Sequence, residues 1–506
     1  MMKKILGVIA ALVFSAGAMS MGVVQVNAAE QERVSDGNDS YETATYLDVN
    51  GSVTDTIMDA KDVDFFRLSP NANGAITLNF LHKYKESNDS WKVSVYQYTN
   101  GTYKKLIDGW RISLTDNENV ELPFIGATQG ASYYIEVTGD FWGSRIGIED
   151  TYTIKSTFRT SEYYEREEND SYEAATLMQP NQSYTGTIGN SGDRDFWKIN
   201  ALSNGKLTLS FQHKYRESND SWKVNVYQYA NGTYEKLIDG WRISLTDNEN
   251  VELPFIGATQ GSSYYIEVTG DRWGSRISLA DAYTIRNTFQ PSEYYEKEIN
   301  DSYGTATSLS SNQTYQGVLS KSGDEDFWKI TAQKSGTLGI YFGHNYKDSS
   351  DSWTAYVYQY TDGEYRELSS STICLYDKKS LKLANIPVNQ NGVYYVKIKN
   401  NYNATAEEYQ LKIKYQADCP GYLRASTSKK TATLLWESVK GADGYEVYCK
   451  KAKGTSYKKL AVTAKNAYTY KKLSRKAYTY FKVRSYVMNG NVKNYSKFSY
   501  VVKAKA

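Results

Sequence analysis

Proline, cysteine and histidine are all scarce here: 506 residues include 7 Pro, 3 Cys and 3 His. The cysteines, Cys374, Cys419 and Cys449, are too few and too odd in number for a disulfide framework. A Cys419–Cys449 bridge and ordinary buried thiols both remain open. His82, His213 and His344 stand without neighbouring His or Cys, so no zinc site of the usual kind is written here. Each lies two residues before a tyrosine and reads as a strand histidine packed in a core. There is no His-Glu-x-x-His, no Gly-x-Ser-x-Gly and no P-loop, so the reading is non-catalytic.

Long apolar runs are also missing after the first 28 residues; a membrane helix needs about 18. Within those 28, Lys3 and Lys4 precede an apolar run from Ile5 to Val24, and Val26-Asn27-Ala28 suits signal peptidase. Residues 1–28 are therefore expected to be a secretory signal peptide, with an uncleaved anchor as the alternative. The C-terminal Val501-Val502-Lys503-Ala504-Lys505-Ala506 carries no sorting motif. The mature chain is expected to be a secreted, extracellular monomer with no transmembrane segment, held to a cell wall, if at all, without a covalent bond.

The net charge of +2 hides a split. Residues 419–506 hold 20 Lys and Arg against 3 acidic residues, net +17; residues 29–418 hold 37 basic and 54 acidic residues, net −17. A field of that size attracts surfaces of opposite charge. Outside a cell these are teichoic acids, anionic glycans or an anionic membrane face; the alternative is lysine kept for solubility. No nucleic-acid motif accompanies the charge.

What is abundant is tyrosine (47), and most of the chain repeats. The motif Asn-Asp-Ser-Tyr begins at Asn38, Asn169 and Asn300, spaced by 131 residues, followed by Asp62-Val63-Asp64-Phe65, Asp193-Arg194-Asp195-Phe196 and Asp324-Glu325-Asp326-Phe327. A repeat of this length has to be found before any fold is assigned. Within each copy short runs alternate apolar and polar, such as Trp91–Tyr98, and turn signals such as Asn73-Gly74 and Asn100-Gly101 separate them. Period-two runs without a helical pattern predict an all-β chain. Sheets with one apolar face need a second sheet, so each copy should be a β-sandwich or jelly roll.

The ordered set of acidic Asn-Asp-Ser start, Gly-Thr-Ile, Asp-x-Asp-Phe-Trp and Gly-x-x-Tyr-Tyr-Ile-Glu-Val resembles the bacterial pre-peptidase C-terminal (PPC) domain. Collagen-binding domains of bacterial collagenases belong to the same group. The resemblance covers about 30–417 and implies modules at 29–159, 160–290 and 291–417. Residues 418–506 differ: Ala432-Thr433-Leu434-Leu435-Trp436, Gly444-Tyr445-Glu446-Val447-Tyr448 and Tyr480-Phe481-Lys482-Val483-Arg484 resemble a bacterial fibronectin type III domain, an immunoglobulin-like sandwich. Trp436 and Tyr445 are then core residues.

Alternate residues of an extended segment project to one side, so Glu165, Glu167 and Asn169 offer three oxygen-bearing side chains together, and Asp193 could close the shell. Calcium takes six to eight such oxygens. The collagen-binding relatives imply the same set. Matched by position it comprises Glu165, Glu167, Asn169, Asn190 and Asp193 in copy two. Copy three supplies Glu296, Glu298, Asn300 and Asp324, with Lys321 in place of Asn190. Copy one has Asp36, Asn38, Asp59 and Asp62, with Val34 in place of the first glutamate. The alternative is an acidic, solvated linker whose Asp residues cap turns. Exposed aromatics on one sheet face are the expected contact for a fibrous protein or a polysaccharide: Tyr96, Tyr98 and Trp110; Tyr227, Tyr229 and Trp241; Tyr358 and Tyr360. Three modules give avidity without strong single sites. The sequence thus reads as a secreted, calcium-clipped binding or adhesion protein; the alternatives are a cell-surface spacer or an accessory subunit of a peptidase or glycanase.

Overall fold

The computed structural model describes residues 37–189, 192–218, 220–270, 281–402 and 406–506. The expected signal peptide, Val34, Asp36 and Asn190 lie outside the described residues. The chain is all-β, built from paired sheets, and among the described residues no helix is long and apolar enough to cross a membrane.

The strand Gly205–Gln212 shows why these segments are strands. Leu207, Leu209 and Phe211 are buried on one side, while Lys206, Thr208 and Ser210 alternate with them toward solvent. It pairs antiparallel with Tyr283–Pro291, whose other edge takes Ser183–Gly186. The facing sheet runs in the order Thr176–Leu177, Arg194–Asn200, Ser263–Gly270, Ser221–Ala230, Thr233–Ser244. Asn231-Gly232 joins the last two, both at positive φ (53° and 86°). That is the type I′ geometry which matches the twist of a hairpin and favours Asn-Gly. The copy-one sheets follow the same order, and copy three matches it with one sheet in a three-stranded and a two-stranded piece.

Trp197, Trp222, Tyr264 and Tyr283 are buried between the two sheets of copy two. Such aromatics each bury on the order of 150–250 Å². His213 packs beside Phe211 and Trp222, with ring centroids 6.5 and 5.4 Å away, the core role read from the sequence.

The last 88 residues form a smaller sandwich. Arg424–Ser428, Thr431–Leu435 and Ala467–Tyr470 make one sheet. Lys458–Thr463, Gly444–Lys451, Thr479–Asn489 and Val492–Tyr495 make the other, with Val502–Ala504 on Thr479–Asn489. Trp436 and Tyr445 lie in its core, 5.3 Å apart. All three cysteines are free. This sandwich is docked on copy three. Val487 joins the copy-three core, Asn489 Nδ2 donates to the Tyr415 carbonyl (3.1 Å), and Lys334 pairs with Asp443 (2.7 Å).

Glu446 is fully buried in this sandwich. It accepts from Arg484 (2.7 Å), Tyr448 (2.8 Å), Tyr495 (3.1 Å) and Lys459 (3.3 Å). Burial alone would raise its pKa, but these donors together outweigh burial and hold it at about 2. Its folded pKa lies below the ordinary 4.5, so its contribution is present above that value and is lost as pH falls toward 2. Glu446→Gln should therefore cost more stability at pH 6 than at pH 2, measured by thermal melts across that range. In the copy-two core, Trp222→Ala should cost about 3–5 kcal/mol, and the exposed Leu202→Ala less than about 0.5 kcal/mol, in denaturant titration.

Candidate metal centre

The segment leading into copy two is held as an edge strand. Tyr164 bridges Thr185 in parallel, and the Glu165 amide donates to the Thr185 carbonyl at 3.0 Å. Further on, the Phe196 amide donates to the Asn169 carbonyl at 2.9 Å. These bonds swing the segment over the start of the strand Arg194–Asn200. Glu165, Glu167, Asn169, Asp193 and Asp195 are all buried there. One carboxylate oxygen each from Glu165, Glu167 and Asp195 lies within 4.8 Å of the others, and Glu296, Glu298 and Asp326 repeat the arrangement in copy three.

Glu165, Asp193 and Asp195 are each fixed from one side. Glu165 accepts from the Thr187 amide and hydroxyl (both 2.9 Å), and Asp193 from the Gly189 amide. Asp195 accepts from the Tyr283 hydroxyl (2.6 Å), which itself accepts from Trp197 Nε1 (2.9 Å). In copy three Tyr409 and Trp328 do the same for Asp326 (2.5 and 2.8 Å). The other side is unsatisfied. Both amide atoms of Asn169, Asp193 Oδ1, Asp195 Oδ1 and Glu296 Oε2 are buried without a hydrogen-bond partner. Buried polar atoms are normally partnered.

Asn300 lies against the same carboxylates, its amide nitrogen donating to Asp326 Oδ1 (3.1 Å) and Glu298 Oε2 (3.2 Å). Burial first, and then neighbouring carboxylates, push Glu165 up to about 8 and Glu167 and Asp195 well above the usual range. Burial likewise lifts Asp193 and Asp324 to about 6, and Glu296, Glu298 and Asp326 well above the range. An all-oxygen, acid-rich shell fits a hard cation such as calcium, not the nitrogen and sulfur donors that zinc selects.

The centre sits at a seam. Thr128 Oγ1 and Gln97 Nε2 of copy one donate to the Glu167 carbonyl (3.0 and 2.8 Å). Thr259 Oγ1 of copy two donates to the Glu298 carbonyl (2.9 Å), and the Glu298 amide to the Gly257 carbonyl (2.9 Å). A Cβ at Gly257 would lie 2.2 Å from the Glu296 carbonyl oxygen, so the close approach requires glycine. One lysine stands by each centre, from opposite sides of the seam. Lys104 of copy one pairs with Glu167 (3.7 Å) and Asp170; Lys321 of copy three pairs with Asp301 (3.6 Å). Their counterparts in the other copy are Glu235 and Asn190.

In copy one Asn38 and Asp62 are buried, and Asp64 is bound by Tyr152. Asp59 is different from its expected role: it is exposed, and its carboxylate accepts from the Lys61 amide (2.7 Å), capping a turn. A carboxylate absent from the sequence reading, Asp55, comes to Asn38, whose Nδ2 donates to it at 3.2 Å. Asp55 stands where copies two and three have Gly186 and Gly317. A Cβ at either glycine would lie 2.7 Å from Glu165 Oε2 or Glu296 Oε2. Copy one, with Val34 for that glutamate, thus carries its carboxylate on the adjacent strand instead.

The aromatic expectations divide. Tyr96 and Tyr98 join an outer-face cluster in which Tyr41 stacks on Tyr103 (4.0 Å) and Tyr134 meets both edge-on (5.4 and 5.3 Å). Tyr227 and Tyr229 do so with Tyr172 and Tyr234 (stacked at 3.9 Å), and Tyr358 and Tyr360 with Tyr303 and Tyr365 (3.6 Å). Trp110 and Trp241 do not lie on this face. They pair across strands with the core residues Val93 and Val224 and pack against the core, because opposed residues share a face.

Asp55, Asp195, Asp326 and the stacking tyrosines were not among the residues expected from sequence. The second Asp of Asp-x-Asp-Phe recurs in every copy, and that recurrence was the available signal.

No protein-family model matches the chain, and no curated protein does. Among solved structures, a mutated fibronectin type III domain ("FN3tt mut") is 24% identical over 17% of this chain and 93% of its own, at a TM-score of 0.15. The domain of human fibronectin type III domain containing protein 3 is 22% identical over 18% and 86%, at 0.16. A two-domain segment of chicken tenascin is 15% identical over 35% and 95%, at 0.21. Likenesses of this size say nothing about function.

The close approach at the second seam is directly testable. Gly257→Ala should displace the segment 296–298, lower thermal stability by about 1–3 kcal/mol and open a protease site there. Gly304→Ala, whose Cβ meets only Ser302 Oγ at 3.9 Å, should do neither.

Proposed function

We propose that the chain is a secreted, non-catalytic binding protein whose PPC-like modules are clipped to one another by calcium. The observation that carries this reading is the buried, oxygen-only cluster at each seam, with polar atoms aimed inward and unsatisfied. Glu165, Glu167, Asn169, Asp193 and Asp195 would hold one ion, and Glu296, Glu298, Asn300, Asp324 and Asp326 a second. In copy one Asn38, Asp55, Asp62 and Asp64 are the described residues for a third. Asp36 and Asn190 remain candidates by position. The ion would supply structural charge balance rather than chemistry. Because the preceding module roofs the centres of copies two and three, binding there would also set the angle between modules. The product is a stiff rod presenting a tyrosine cluster on each module to an extracellular protein fibre or polysaccharide. The basic residues 418–506 would engage an anionic polymer, and the shared seams equally support a spacer role.

A thermal melt of the full chain in millimolar calcium and in chelator tests this. Ligand binding to the folded state alone adds about 2.7 kcal/mol at a hundredfold excess over Kd, so calcium should raise the melting temperature. The variant Glu167→Gln/Asp195→Asn/Glu298→Gln/Asp326→Asn should lose that rise and, with its repulsion relieved, melt above the wild type in chelator. Asp55→Asn alone should remove a smaller share. Identical wild-type melts in both conditions would reduce the seams to protonated carboxyl clusters and sink the calcium reading.

A further inference from the structure

The C-terminal sandwich carries a second surface that the seams do not use. On its strand Thr479–Asn489 the side chains alternate strictly, with Phe481, Val483, Ser485 and Val487 buried and Lys482, Arg484 and Tyr486 on the other face. Cross-strand register sets Tyr448 opposite Lys482, Lys450 opposite Tyr480, and Tyr495 opposite Tyr486. The outer face is therefore a lattice in which cations and rings alternate. Lys482 Nζ lies 3.7 Å from the Phe498 ring centre and 4.3 Å from that of Tyr457. Arg484 lies 3.7 Å from that of Tyr495, and Lys450 5.3 Å from that of Tyr457.

Two features mark this as more than a solubility coat. The acid of the face, Glu446, is buried and committed to Arg484 and Lys459. Among the described residues no carboxylate pairs with Lys450 or Lys482. Burial, and then the charges of Arg484 and Lys450, push the Lys482 ammonium below its ordinary pKa. Rings beneath the cations also hold them in place before any ligand arrives, which lowers the entropy cost of binding.

We propose that this face, centred on Lys450, Lys482 and Tyr457, binds a linear anionic polymer built on sugar or polyol units. The cations take its charged groups, and ring edges and faces such as Tyr457 and Tyr495 take its carbon skeleton. The inference rests on the reading that residues 418–506 engage anions, and it assigns the surface and the ligand chemistry.

Full chain is applied to immobilised heparin and to glycerol-phosphate teichoic acid, with polyphosphate and single-stranded DNA as sugar-poor and nucleic-acid probes. Retention should be salt-sensitive, since exposed charges are screened beyond about 8 Å at physiological ionic strength. Lys450→Gln/Lys482→Gln should weaken both glycan interactions about tenfold or more. Lys472→Gln/Lys476→Gln, the same charge change at exposed positions outside the strands, should weaken them less than about threefold. Tyr457→Ala should weaken heparin and teichoic acid and leave polyphosphate unchanged. Near-ultraviolet circular dichroism confirms that each variant is folded. Equal losses in the two lysine pairs would overturn the face while leaving general anion attraction standing. No salt-sensitive retention of wild type would overturn both. Binding of polyphosphate or DNA as tight as heparin and indifferent to Tyr457 would overturn the sugar assignment. Salt-sensitive self-association that glycan does not release would give the face to the acidic repeats of a second copy.

Discussion

Several carboxylates drawn into one dry seam are the constraint on which the repeats depend. Two like charges about 4 Å apart repel by on the order of 4 kcal/mol at an effective dielectric of about 20, and each centre gathers more than two. Protonation is one escape, and the raised pKa values describe it. A divalent cation is the other. Either way the seam closes only when the negative charge is answered, so packing between modules and the state of the centre are one variable. The hydrogen bonds from Thr128 and Thr259 to the carbonyls of Glu167 and Glu298 make that link covalently short: the residue that offers a carboxylate also carries the contact to the preceding module.

The copies solve this constraint by exchange. Where Val34 removes a glutamate, Asp55 supplies a carboxylate from the strand that holds glycine in the other copies. Where Lys104 approaches from the module before, its counterpart is Glu235, and Lys321 approaches from the module after. The first exchange keeps a carboxylate beside the asparagine while moving its origin, and the second keeps a lysine at each of the two later centres. A solvated linker places no such demand on position, since exposed charges interact weakly there.

Much of the fold was legible because it rests on local rules. Period-two alternation, Asn-Gly turns and the 131-residue spacing gave strands, hairpins and repeated sheets directly. The site was legible only in part. Glu165, Glu167 and Asn169 share a side of one segment, so spacing alone gathers them. Asp195 was passed over because two acids flanking one residue read as a single loop Asp, whereas here Asp193 caps the loop and Asp195 begins the inward face of the strand. Asp55 lies 17 residues from Asn38 and became visible only through pairing across the sheet. Trp110 was misplaced because it was grouped with Tyr96 and Tyr98 by nearness in sequence, whereas cross-strand pairing with the buried Val93 turns it toward the core.

The charge split gains a direction from the packing. The C-terminal sandwich meets copy three through Val487, Asn489 and Asp443, at the end of the strand Thr479–Asn489 that lies beyond Arg484 and Tyr486. This contact takes up the sandwich's exposed Asp443 with Lys334. It leaves the face around Lys482 with Glu446 as its acid, already neutralised. The contact with the net-negative repeats thus uses an acid of the sandwich, while Lys450 and Lys482 take no part in the contacts that dock it.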